Sequence, residues 1–355
     1  MKKRKINNKT FNLITLKKRR KKMKTIKQNL LTALKLSLGV VCLSSTLTSQ
    51  AQEESKGKPI VTIFSQVGTS FNNTTDKVNS FGFDLERAYL GYQYSLNEHF
   101  SAKVVYDMGK GDDNSLQRSG YVKNAQFDIH YDKFSLSAGL TSTAQFSFQE
   151  KFWGYRYIMK SFQDEMKWGS SADLGVLATF TPCDMLSIDA SVFNGEGYKK
   201  IQADDQLLYG LGITFKPIKQ LSLRVYSDIK TKRETATQNN LAIFLGYKDE
   251  TFAIGGEYNK QFNNKNVDDR TLDGLSVYGK YRFTKSLEGF VRYDYASSDC
   301  KDEVWQYSLD GNTVLAGVDW KVNKLLHLSP NFKYNHSEVT DKDTYYVMLS
   351  AKINL

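Results

Sequence analysis

From about residue 58 to the C terminus, apolar residues recur on every second position. Leu207, Tyr209, Leu211, Ile213 and Phe215 alternate with small or polar residues such as Gly210, Gly212 and Thr214. The same rhythm runs through Phe100, Ala102, Val104 and Tyr106, through Leu186, Ile188, Ala190 and Val192, and through Leu241, Ile243, Leu245 and Tyr247. It returns at Leu287, Val291, Tyr293 and Tyr295. A period of two marks β-strands with one greasy face and one polar face. The connections sharpen this picture. Seven are tight, at 96–100, 131–134, 182–186, 217–221, 248–252, 284–287 and 322–325. Eight longer polar links lie between them, near 71–80, 109–119, 143–171, 195–205, 231–239, 261–271, 297–311 and 336–342. Strict alternation of tight and long connections predicts sixteen strands in hairpins that repeat every 35 residues or so.

Short turns at one end of every hairpin and long loops at the other are the layout of a transmembrane barrel. Strands of roughly ten residues, tilted near 45°, span the hydrocarbon layer, and about sixteen of them enclose an aqueous lumen. Aromatic pairs near strand ends suit the two membrane interfaces: Tyr92 with Tyr94, Tyr281 with Phe283, Tyr293 with Tyr295, and Tyr345 with Tyr346. The expected fold is therefore all-β, a transmembrane antiparallel β-barrel of about sixteen strands. A secreted β-sandwich or a solenoid would share the alternation within strands, but neither predicts the regular alternation of connections.

Composition narrows the function classes. The chain has 355 residues with 21 Tyr, 21 Phe and only 4 Pro; its mean hydropathy is −0.48. These values exclude both a disordered chain and a bundle of membrane helices. The net charge of +11 is misleading, because residues 1–51 hold 14 Lys and Arg and no acid, leaving 35 basic against 38 acidic residues in the rest. Without a basic excess on the folded part, nucleic acid is not expected as a partner. From Met23 a basic segment, the apolar run Leu30–Leu47 and a small-x-small site at Ser49 and Ala51 form an export signal over 23–51. Residues 1–22, with 11 Lys and Arg, are an extension lying upstream of a second candidate start at Met23. Export, with the barrel over 52–355, points to the bacterial outer membrane. No plug domain is expected ahead of the first strand near Pro59. Only Cys183 and Cys300 follow the signal, which allows one disulfide or two free thiols.

With the apolar set facing lipid, the alternate positions face the lumen. They include the cations Arg87, Lys103, Arg224, Lys230, Lys280, Arg282 and Arg292, together with Lys321 and Lys333. The acids are Asp107, Asp128, Asp189, Asp228, Glu257, Glu288, Asp294 and Asp319. Basic rings favour anions and acidic rings favour cations, so depth decides which sign governs; pairing across strands is the plainer reading of each. The link at 143–171 breaks the repeat. Its run F-S-F-Q-E-K-F-W-G-Y-R-Y-I-M-K-S-F-Q-D-E-M-K-W is too aromatic for a loop in water. It is expected to fold inward as a constriction, with Lys151, Trp153, Tyr155, Arg156, Lys160 and Lys167 near the narrow part. Packing on a neighbouring subunit or on the outer rim is the alternative.

Three stretches carry a resemblance. F-D-L-E-R-A-Y-L-G-Y-Q-Y at 83–94, N-A-Q-F-D-I-H-Y at 124–131 leading to S-A-G-L at 137–140, and V-F-N-G-E-G at 192–197 resemble the phosphate-selective porin O and P family. The resemblance is best over about 81–230. It implies a sixteen-stranded porin, a homotrimer, that passes anions such as phosphate.

Chemistry of other kinds finds no support. His99, His130, His327 and His336 form no metal-spaced pair, and Walker A, G-x-G-x-x-G, G-x-S-x-G, H-E-x-x-H and C-x-x-C patterns do not occur. No enzyme and no cofactor is expected. The expected partners are membrane lipid and small hydrophilic solutes or anions, moved by passive diffusion. A specific sugar or peptide channel, and an adhesin or structural barrel, are the alternatives.

Overall fold

The computed structural model describes residues 57–72, 78–110, 117–231, 235–301 and 303–355. The extension at 1–22 and the signal at 23–51 lie outside the described residues. Sixteen strands follow one another: β1 (Gly57–Asn72), β2 (Val78–Ser95), β3 (Phe100–Lys110), β4 (Arg118–Tyr131), β5 (Phe134–Ser142), β6 (Ala172–Cys183), β7 (Leu186–Phe193) and β8 (Leu208–Phe215) form the first half. The second half comprises β9 (Leu221–Lys230), β10 (Gln238–Lys248), β11 (Phe252–Phe262), β12 (Arg270–Thr284), β13 (Leu287–Cys300), β14 (Gly311–Lys321), β15 (Leu326–Ser337) and β16 (Lys342–Asn354). Each strand pairs antiparallel with its sequence neighbours, and β1 closes on β16 from Thr62↔Asn354 to Asn72↔Thr344. Closure leaves no strand edge, which is what a sheet needs where water cannot satisfy open amides.

The pattern of exposure inverts that of a soluble protein. In β9, Leu223, Val225 and Ile229 are exposed while Ser222, Arg224, Tyr226 and Asp228 are buried. In β13, Val291, Tyr293 and Tyr295 face out while Arg292 and Asp294 face in. Apolar side chains thus form the outer band and polar ones the interior, the arrangement lipid requires. No described helix is long and apolar enough to cross a membrane.

Three tight turns use one device. The side-chain Oδ1 of Asn97 accepts from the His99 and Phe100 amides, that of Asp249 from Thr251 and Phe252, and that of Asn323 from Leu325 and Leu326, all at 2.7–2.9 Å. An Asx side chain folded over its own backbone replaces the ladder partner that the turn removes.

Two local expectations change. The link at 336–342 is a turn of only four residues, because β15 runs to Ser337 and β16 starts at Lys342. Tyr346 points into the lumen beneath Lys333, whose Nζ lies 4.5 Å from the ring centroid, so only Tyr345 of that pair joins the outer band. Cys183 and Cys300 are both free.

Candidate functional site

The segment between β5 and β6 enters the barrel. It opens with α1 (Ala144–Trp153), which ends at Gly154 in the left-handed region (φ 79°, ψ −12°), where the glycine amide donates to Glu150 O at 2.8 Å. That closure suits glycine because a Cβ resists positive φ. A second turn of helix, α2 (Phe162–Glu165), follows. Helix ends leave carbonyls without intrahelical donors. Here Lys280 of β12 supplies them, its Nζ donating to Phe152 O at 3.0 Å and Trp153 O at 2.9 Å. Arg292 of β13 holds Lys160 O at 2.6 Å while gripping Asp294 with two nitrogens at 2.8 and 2.7 Å. Arg224 of β9 donates to Gln145 Oε1 at 2.9 Å and to both oxygens of Asp189 at 2.6 and 3.0 Å.

Aromatic packing completes the attachment. Phe152 meets Phe244 at 4.7 Å between ring centroids, Trp153 meets Tyr278 at 5.0 Å, and Tyr155 meets Phe290 at 4.8 Å. Trp153 is 1% exposed and Phe162 is fully buried, so the rings are removed from water as their number demands. Two wall glycines make the seats. A Cβ on Gly274 would stand 2.2 Å from Phe162, and one on Gly246 would stand 2.4 Å from Phe152. Tyr155 donates to Glu288 and Tyr157 to Asp319. Burial first, and then these carboxylates, push both phenols well above their ordinary range, so they remain donors. At the tip, Arg156 is bonded to Glu150 at 2.6 Å and Asp164 at 2.7 Å, and its Nε reaches Tyr89 of β2 at 3.3 Å. Burial alone would raise the Asp164 carboxyl, but Arg156 and Lys160 bring it down to about 2.

The loop therefore lies along the inner wall from β9 round to β14 and across to β1 and β2. Among the described residues no hydrogen bond, ion pair or ring contact joins 144–168 to the inward side chains of β3–β8. Space of about 380 Å³ opens on the β6–β8 part of that wall, between Ser147 and Phe148 of α1 and residues including Leu177, Thr179, Asp189 and Thr214.

Seven of the nine cations expected on the lumen side divide by what they hold. Arg224, Lys280 and Arg292 fasten the loop. Arg87 pairs with Asp107 at 2.8 Å, and Lys230 pairs with Glu196 at 2.8 Å and with Gly195 O at 3.0 Å. Arg282 lies half-exposed near the turns, 3.6 Å from Glu288. Lys103 has no ion pair or hydrogen bond among the described residues. Of the loop residues, Lys151 and Lys167 are exposed, Lys160 lies 3.6 Å from Asp164, and Trp153, Tyr155 and Arg156 are packed as described.

Lys123 is the inward cation that alternation misses. Asn124 faces in opposite Val105, which assigns Lys123 to the lipid side. A bulge pairs Tyr106 with Val122 instead, so Lys123 is the extra residue. Its Nζ turns inward, 5.0 Å from the Tyr89 ring centroid and 5.6 Å from that of Tyr198. Bulges re-aim side chains in this way. The sequence signal is faint: Val122, Lys123 and Asn124 interrupt a strand that otherwise alternates.

No protein-family model matches the sequence, and no curated protein matches it. Solved structures do. The chain is similar to OprB of Pseudomonas putida (TM-score 0.66, 8% identity, 85% of this chain and 94% of that one). It is also similar to the outer membrane channel DcaP of Acinetobacter baumannii (TM-score 0.63, 12% identity, 86% and 99%) and to an anion-selective porin from Comamonas acidovorans (TM-score 0.62, 10% identity, 85% and 100%). At these identities the likeness establishes the fold, that of the outer-membrane porins. The motifs resembling phosphate-selective porins stand on the sequence alone.

Proposed function

We propose that the protein is an outer-membrane porin through which small hydrophilic solutes diffuse passively, with a preference for anions. One observation carries this reading: the loop is clamped to one side of the lumen and leaves the β3–β8 side open. Along that open arc every acid already has donors. Asp107 accepts from Arg87 at 2.8 Å and Tyr198 at 2.6 Å, Asp128 from Gln126 at 2.6 Å and Ser137 at 2.5 Å, Asp173 from the Leu174 and Gly195 amides at 2.8 Å, and Asp189 from Arg224. Lys103 and Lys123 have no hydrogen bond or ion pair among the described residues; Asp128 acts on the first and Asp107 and Asp164 on the second only at longer range. Cations held off from direct pairing between low-dielectric walls raise the local concentration of anions.

The resemblance adds inorganic phosphate as a candidate solute and a homotrimer as the assembly. The turns then face the periplasm and the long loops the exterior. Liposome swelling with graded sugars and amino acids tests the reading. Rates should fall with solute size, and aspartate should enter faster than lysine. A folded barrel that admits none of them would replace the porin with an adhesin or structural barrel.

A further inference from the structure

Where α1 nears the tight turns, a recess of about 540 Å³ opens between Phe148, Lys151 and Phe152 of the loop and Lys216, Lys219 and Lys248 of the β8–β9 and β10–β11 turns. That volume lies within the range of small-molecule sites. Lys216 and Lys248 continue the inward-facing rows of β8 and β10, two residues past Thr214 and Gly246. None of these four lysines has a side-chain hydrogen bond or an ion pair among the described residues. Two acids share the rim. The Asp249 carboxylate is occupied by the Thr251 and Phe252 amides at 2.7 and 2.9 Å, and Glu250 is exposed. Register adds a further charge, since Lys248 lies opposite Ala253, which lies opposite Lys280. The Phe148 ring is fixed in place, edge-on to Phe244 at 5.2 Å and 5.1 Å from the Arg224 guanidinium.

We propose that this recess binds an organic anion with a flat apolar body, of the class of aryl carboxylates and aryl sulfonates. The negative group sits among Lys216, Lys219 and Lys248, and the ring lies against Phe148. An inorganic anion uses the lysines but not the ring, and a neutral aromatic uses the ring alone. Charge-assisted contacts to an ammonium cluster and stacking on an aromatic face act together only for a solute carrying both. The recess lies at the turn-side mouth, and its occupancy does not require conduction.

Isothermal titration of naphthalene-2-sulfonate into the full chain folded in neutral detergent tests this independently of the porin reading. Methanesulfonate, 2-naphthylmethylammonium and empty micelles are the controls. Saturable binding at one site is expected, at least about tenfold tighter than either control ligand. The K216Q/K219Q/K248Q variant should weaken it by at least about tenfold and F148L by about threefold, both with wild-type circular dichroism and heat-modifiable mobility. Uptake no greater than by empty micelles, equal affinity in the triple variant, or methanesulfonate binding as tightly as the aryl sulfonate would each overturn the proposal.

Discussion

Lys280 and Arg292 illustrate how a lumen cation can serve structure rather than solute. Each ends on backbone carbonyls of the inward loop, where a positive donor satisfies a helix terminus or a turn that water cannot reach. Replacing Lys280 by Met leaves those carbonyls without a donor and should cost about 2 kcal/mol, read as a lower midpoint of urea unfolding and noisier single-channel current. Gly274 makes the complementary point by its lack of a side chain: Gly274→Val drives a branched side chain into Phe162 and should unseat the second half of the loop, raising conductance. Asp164 sets the acid limit of the same assembly. Its carboxyl is lowered from 3.8 to about 2, so its contribution is complete above about 3.8 and is lost as pH falls towards 2. Current steps should therefore keep their amplitude from pH 7 to 4 and become irregular only below about pH 3. Asp164→Asn should show no such acid transition, and an unchanged transition in that variant would show that another group causes it.

At the scale of elements, the strands were readable because lipid favours apolar side chains on the outward positions. Leu223, Val225 and Ile229 must be apolar, so period two survives along the whole barrel. The turns were readable because Asn97, Asp249 and Asn323 carry their own hydrogen-bond acceptors. The loop's inward course was readable from its aromatic content, since so many rings must leave water. Its partners were not. Which wall receives Trp153 or Tyr155 depends on strand register and on glycine seats spread over β10–β12, far apart in sequence. Lys123 was hidden for a related reason, because a single bulge reverses the direction that alternation assigns. If the loop narrows the lumen, deleting residues 150–165 should raise single-channel conductance severalfold in a barrel that still shows heat-modifiable mobility. Unchanged conductance would mean that the narrowest point lies elsewhere.

For the whole molecule, the outer band, the closed sheet and the polar interior are those of the outer-membrane porin fold, and the proposed function puts the long loops outside. The 303–310 loop gives a direct check: Val304 is fully exposed, so Val304→Cys in a C183S/C300S background should react with a membrane-impermeant maleimide on intact cells. A cysteine at Lys285, in the β12–β13 turn, should react only after the envelope is opened; the reverse result would invert the orientation. In the proposed function, solute crosses beside the clamped loop, past Lys103 of β3 and Lys123 of β4. Reversal potential under a potassium chloride gradient in a planar bilayer tests it most directly. The wild type should reverse on the chloride side, and K103E/K123E should move the reversal towards potassium with the loop still in place. A wild-type reversal on the potassium side, or a charge-reversed variant indistinguishable from wild type, would contradict the account.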